Sequence, residues 1–156
     1  IAFLQDLGLD AVVFSNAKAN TFSDHSHSNF GAHSMTVELG KVYPFGQNPT
    51  KNFSQAKKTL RSLLEGSYKF KDKPLNKIKC YDIIENLIRE NETFEFHFCP
   101  KIKNFEEFKL GEPIWSQDDL IHKASQDGLC ILFPNDKVKF GQRAGLLIKE
   151  QTKENI

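Results

Sequence analysis

The apolar pattern of this chain changes character part-way along, and that change limits the folds open to it. Up to Leu64 the apolar residues come as helical stripes and short continuous runs, separated by long polar stretches. Beyond Lys71-Asp72-Lys73-Pro74 they come as short segments cut by Gly111, Asp127-Gly128, Pro134-Asn135 and Gly141. The first texture belongs to a layered α/β architecture, the second to a small all-β barrel or sandwich. A boundary is therefore expected within 71–74, dividing the chain into 1–72 and 73–156. At 156 residues the chain suits one domain, or a compact half-domain with a small second one.

The spacing predicts the end of an amphipathic helix over Ile1 to Leu7, stopped by Gly8. Ala11-Val12-Val13-Phe14 reads as a strand buried on both faces. Ser15 to Asn29, rich in Ser, Asn, Asp and His, reads as a long loop. Ser34 to Leu39 is a second strand candidate, closed by Gly40, and Lys41 to Thr50 is a loop. Phe53, Ala56, Leu60, Leu63 and Leu64 give one helical face over Asn52 to Leu64, ended by Gly66. Ile78 to Ile88 is ambiguous, its apolar residues fitting either a helix or a strand imperfectly. Phe94 to Phe98 alternates as a strand, and further short strands are expected at Phe105 to Leu110, Pro113 to Trp115, Cys130 to Phe133 and Leu146 to Ile148. Glu150 to Ile156 is polar and expected to fray.

Composition excludes several classes. The formal net charge is +1 with both signs interspersed, so nothing points to nucleic acid or a membrane surface. No run approaches 18 apolar residues. The 14 phenylalanines are scattered, which reads as core rather than as a stacking platform. Three cysteines, Cys80, Cys99 and Cys130, without paired spacing argue against a disulfide framework and for buried thiols in a reducing, cytoplasmic compartment. The chain opens Ile1-Ala2-Phe3-Leu4-Gln5 inside an apolar segment, without Met or a signal-peptide pattern, and is expected to be part of a longer chain.

Glu38 is the most informative polar residue. A carboxylate inside an apolar strand just before a glycine is costly to bury unpaired. At a strand end in an open α/β sheet it faces the crevice where ligands bind, and can act as general base or acid. The alternative is a structural ion pair, with Lys41 the nearest cation. His25, His27 and His33 suggest a metal site, but no Cys or carboxylate completes a tetrahedral set, and exposed loop histidines are the plainer reading. His97 and His122 read as structural. No phosphate-binding glycine motif and no G-x-S-x-G elbow is present.

The stretch Phe30-Gly31-Ala32-His33-Ser34-Met35-Thr36-Val37-Glu38-Leu39-Gly40-Lys41-Val42-Tyr43-Pro44-Phe45-Gly46-Gln47-Asn48 resembles the succinylglutamate desuccinylase/aspartoacylase family. So do Thr21-Phe22-Ser23, Phe94-Glu95-Phe96-His97, Asn104-Phe105 with Phe108 and Gly111, Leu132-Phe133-Pro134-Asn135, and Gly141-Gln142-Arg143-Ala144-Gly145-Leu146. The likeness runs from about Leu4 to Ile148.

The resemblance implies the terminal part of a zinc carboxypeptidase-like α/β core with a mixed sheet, followed by a small β domain. It implies a zinc-dependent amide hydrolase acting on a small N-acyl amino acid, N-succinyl-L-glutamate, in arginine degradation. Glu38 matches the family's general base. The family's zinc is held by a His-x-x-Glu pair and a later His, and this sequence contains no His-x-x-Glu. Metal ligands in this chain are thus expected to be none, with the zinc site and most carboxylate-gripping residues in a missing N-terminal half. Lys41 and Arg143 are candidates to meet substrate carboxylates. Two other readings stay open: an aspartoacylase-like deacylase with a different acyl group, and a non-catalytic binding module.

Overall fold

The computed structural model describes residues 2–15, 18, 20–41, 43–70, 78–98 and 103–152. The expected boundary at 71–74 and Cys99 lie outside the described residues. The chain divides into two compact units: Ile1–Asp10 with Asn16–Ile78, and Ala11–Ser15 with Lys79–Ile156.

The first unit is helical: α1 (Ala2–Asp6), α2 (Phe22–Phe30), a 3₁₀ turn at Thr50–Phe53 and α3 (Ser54–Leu64). The stops of α1 and α3 share one geometry. Gly8 and Gly66 take φ of 79° and 69°, where a side chain would be strained. Their amides donate to Gln5 O and Leu63 O, and the next amides, of Leu9 and Ser67, donate to Leu4 O and Ser62 O. That pairing satisfies carbonyls the helix itself leaves free. The C-terminal end of α1 is clasped by α3. Thr59 Oγ1 donates to Asp6 O at 2.6 Å and Gln55 Nε2 to the same oxygen at 3.2 Å. Tyr68 Oη donates to Asp6 Oδ2 at 2.8 Å. Desolvation, and then this bond to Asp6, raise the Tyr68 hydroxyl above its ordinary range. On α3 the buried residues are Ala56 and Thr59, whereas Leu60, Leu63 and Leu64 are 44%, 37% and 87% exposed.

The second unit is built on β2 (Lys79–Arg89) and β8 (Gln142–Glu150), which run antiparallel from Tyr81↔Glu150 to Arg89↔Gln142. β1 (Ala11–Phe14) adds to β2 in parallel, while β7 (Leu129–Leu132) and then β4 (Glu106–Phe108) add beyond β8. The result is a mixed five-stranded sheet in the order β1-β2-β8-β7-β4. A second sheet joins β3 (Glu95–Phe96), β5 (Pro113–Gln117) and β6 (Leu120–Lys123). Leu87, Phe108, Leu129, Ile131 and Leu147 from the first sheet share one core with Ile114 and Trp115 of the second and with Phe94 beside it. Tyr81, Cys130, Leu132, Leu146 and Ile148 form a separate cluster. β7 alternates strictly between the two, so all four of its residues are buried. This is a sandwich-like pair of sheets, with no closed barrel among the described residues.

The expected α/β class and strand-rich second half are present, with corrections. Ala11 to Phe14 is a strand but not a doubly buried one: it lies at the sheet edge, with only β2 beside it among the described residues, and stays partly exposed. The ambiguous 78–88 stretch is β2. Its apolar period is broken by a bulge, with Ile84 the extra residue between Ile83↔Ile148 and Glu85↔Leu147. Glu150 is not frayed, since it ends β8 and Gln151 N donates to Cys80 O at 2.8 Å. Not every phenylalanine is core: Phe22, Phe30, Phe45 and Phe70 are at least 74% exposed. Cys80 and Cys130 are buried reduced thiols, and desolvation raises both above the ordinary thiol range. Leu87 is fully buried, so Leu87→Ala should cost about 2–5 kcal/mol in urea denaturation. The same change at the half-exposed Ile84 should fall well short of that.

Candidate active-site segment

The segment carrying Glu38 follows α2, which stands where a loop is expected. Thr21 caps the helix: its Oγ1 accepts from the Asp24 amide at 3.2 Å. Asp24 also places negative charge in the first turn, where the helix dipole favours it. Gly31, at φ 63°, closes the other end by donating its amide to His27 O at 2.9 Å. The Thr-x-x-Asp spacing was a legible start signal. It is obscured by a composition of Ser, Asn, Asp and His that favours turns.

The histidines of this helix are used locally. His25 Nδ1 lies 3.1 Å from Asn29 Nδ2, and His27 Nδ1 lies 3.0 Å from Ala32 O. His33 lies past the cap, exposed. In the second unit the His122 ring stacks on Trp115 at 3.7 Å between centroids, a structural role, while His97 is exposed on the strand side of β5.

From Gly31 to Leu39 the chain has no regular structure, which corrects the strand expected at Ser34 to Leu39. The physical reason is pairing. A strand needs a neighbour's amides and carbonyls, and no described strand lies beside this segment. Only Ala32, Ser34 and Val37 are partly shielded. Glu38 is exposed rather than buried, and among the described residues its carboxylate makes neither hydrogen bond nor ion pair. Lys41, three positions on, is exposed and makes no ion pair with it. The structure therefore brings Glu38 and Lys41 onto one open segment of the first unit. Arg143 lies on β8 of the second unit, exposed and opposite Ile88.

Among the described residues, no group of three His, Cys, Asp or Glu side chains converges where a metal ion could sit. The zinc implied by the resemblance therefore does not fit the residues described here. No described helix is long and apolar enough to cross a membrane. The first unit also holds a polar cleft of about 520 Å³ lined by Asp6, Gln55, Lys58, Thr59, Ser62 and Tyr68. Sequence reading missed it, and its one signal was Thr59 on the buried face of α3. Its polar groups largely pair with one another, so it serves as the clasp between α1 and α3.

Comparison with known proteins decides the family. A profile described as the Succinylglutamate desuccinylase/Aspartoacylase catalytic domain matches residues 1–64. A second, described as the AstE/AspA barrel-sandwich hybrid domain, matches residues 76–151. The chain belongs to the succinylglutamate desuccinylase/aspartoacylase family. Curated family relatives agree over nearly all of its length. Proteins named succinylglutamate desuccinylase from Burkholderia lata and Pseudomonas fluorescens are 34% and 33% identical, over 99% and 100% of this chain. Among solved structures, succinylglutamate desuccinylases from Vibrio parahaemolyticus and Vibrio cholerae both superpose with a TM-score of 0.83. They are 30% and 31% identical and cover 97% and 95% of this chain. The chain spans less than half the length of these family members: 43% and 47% of the two curated relatives, 44% and 43% of the two structures.

The capping of α2 is open to direct measurement. Thr21→Ala removes the oxygen that accepts the Asp24 amide and should lower unfolding free energy by about 1 kcal/mol. Thr21→Ser should restore most of it. Equal stability of all three proteins in chemical denaturation would mean that the cap does not hold the helix.

Proposed function

We propose that this chain supplies the proton-transferring carboxylate, and part of the scaffold, of a hydrolase that splits N-succinyl-L-glutamate into succinate and glutamate. One observation carries the reading. The catalytic-domain profile takes in Glu38, and the relatives that match nearly the whole chain are named succinylglutamate desuccinylases. In the proposed reaction Glu38 takes a proton from the attacking water as the water oxygen bonds to the succinyl carbonyl carbon. Glu38 then returns that proton to the amide nitrogen as the C–N bond breaks. An exposed carboxylate with no other partner among the described residues is available for that exchange. The substrate is anionic, and Lys41 and Arg143 are the proposed cationic partners for its carboxylates.

Zinc is the proposed cofactor of the complete enzyme, held by residues other than those described here, and no step above is routed through it. The setting is proposed to be cytoplasmic arginine degradation. The chain is proposed to correspond to the C-terminal portion of the family protein and to be inactive alone. Its proposed partner is the part of the family fold that it does not span. The exposed α3 stripe of Leu60, Leu63 and Leu64 supports this, because an amphipathic helix ordinarily turns such a face onto another element and an exposed apolar patch marks a contact surface.

Two rivals are separable. An aspartoacylase-like enzyme would prefer another acyl group, which a panel of N-acyl amino acids given to the full-length protein would reveal. A non-catalytic module is favoured by the absence of a metal-ligand cluster among the described residues, and would leave every substrate in that panel uncleaved.

In the full-length protein Glu38→Gln should lower kcat by ~10²–10⁴-fold, with substrate affinity little changed. A fall of less than tenfold would remove Glu38 from the role. The docking of α3 has its own measurement. Leu60→Glu should shift the stability of this 156-residue chain by no more than about 0.5 kcal/mol, as a surface change does. In the full-length protein it should cost several times as much, and equal effects in both would count against a covered stripe.

A further inference from the structure

Among the described residues the larger sheet ends on β1 and β4, the smaller on β3 and β6. An open edge invites a further strand, and proteins guard such edges with charge, proline or a bulge. Every edge but one is guarded here. β4 carries Glu106 and Glu107, β3 carries Glu95 and β6 carries Lys123. β1 is Ala11-Val12-Val13-Phe14, without charge or proline, and its register with β2 runs unbroken from Ala11↔Lys79 to Phe14↔Asp82. It is also apolar on both faces. Ala11 and Val13 pack against the cluster of Tyr81, Leu146 and Ile148, so Val12 and Phe14 turn to the opposite face, where Phe14 is 37% exposed. A strand apolar on both faces and paired in parallel has the composition of a sheet interior rather than of an edge.

Residues 1–64, β1 included, match the catalytic-domain profile, whereas β2 lies within residues 76–151, which match the hybrid-domain profile. By sequence β1 is thus a strand of the catalytic domain. In the structure it has a hybrid-domain strand on one side and no described strand on the other. The family relatives carry more than half of their length outside the part that this chain matches. We infer that a strand from that remaining portion of the family protein pairs along the free edge of β1, so that a single sheet continues through β1 from one portion into the other. β1 is then an interior strand, which matches its two apolar faces. The inference rests on the proposed reading of this chain as the C-terminal portion of a longer family protein. It adds the backbone contact by which the two portions join, on a different element from the leucine stripe of α3.

Hydrogen exchange of the β1 amides, in the full-length protein and in the 156-residue chain, tests this. Successive amides of a strand point to opposite sides, so alternate amides of β1 bond to β2 and the others face the free edge. The free-edge amides should exchange more slowly in the full-length protein, by about tenfold or more. Val12→Pro and Val13→Pro give a second measurement, because one deletes a bond to β2 and the other deletes an amide on the free edge. The free-edge variant should leave the melting temperature of the 156-residue chain unchanged and lower that of the full-length protein by several degrees. If both variants unfold the shorter chain, the exchange rates decide alone. Free-edge amides that exchange alike in both proteins, fast or slow, overturn the proposal. So does protection that appears only as concentration is raised, which assigns the edge to a second copy. A full-length protein that protects these amides yet cleaves no N-acyl amino acid would end the desuccinylase reading and leave the pairing standing.

Discussion

The ladder between β2 and β8 is the interaction on which the second unit depends. It is the longest pairing in the chain, and every other strand of the large sheet is added to one of its two sides. It also supplies residues to both apolar clusters: Leu87 and Leu147 to one, Tyr81, Leu146 and Ile148 to the other. Breaks in its register are part of that arrangement. Strict alternation would set Ala144 with Leu146 and Ile148, yet it belongs to the cluster of Leu147. The skip between Leu87↔Gly145 and Ile88↔Arg143 makes Ala144 the extra residue and turns it to the other face. The ladder closes with an ion pair between Lys79 and Glu150 at 2.8 Å, too exposed to matter much beside the burial of the leucines and isoleucines.

The first unit is organised differently. Its helices are stopped by glycines and by hydrogen bonds to Asp6 rather than by a wide apolar core, and the strongest apolar stripe, on α3, faces outward. The segment after α2 is equally open, and Glu38 stands on it without a partner among the described residues. These features have one explanation under the proposed function. A strand needs a neighbouring ladder and a leucine face needs a cover, and in the family protein both would come from the portion this chain does not span.

Much of the fold was legible because it rests on local chemistry. The glycine stops after α1 and α3, the apolar period of α3, the alternation around Phe94 to Phe98 and the turn-punctuated strands are each short-range statements. β6 escaped notice because Leu120 to Lys123 is too short to show a period and pairs only through its turn to β5. β2 could not be read as a strand from its own periodicity, against the strand that the family resemblance suggested, because a bulge breaks its alternation. α2 was missed because its capping pair sits among residues that also favour loops. At the candidate site, Glu38 and its neighbours were picked out by residue type and motif, yet their environment could not be, because burial belongs to whatever packs on a segment.

The sequence by itself determined the family, through the Glu38-Leu39-Gly40-Lys41 to Asn48 wording and the profiles that match it, together with the helix ends and most strand positions. Only the tertiary structure decided that Ala11 to Phe14 joins β2 across more than sixty intervening residues, that β7 is buried on both faces, and that Ser34 to Leu39 remains unpaired. The reason is physical. Caps, turns and periodicity are set by groups a few residues apart, whereas sheet order and the burial of a carboxylate depend on distant backbone that supplies hydrogen bonds and excludes water.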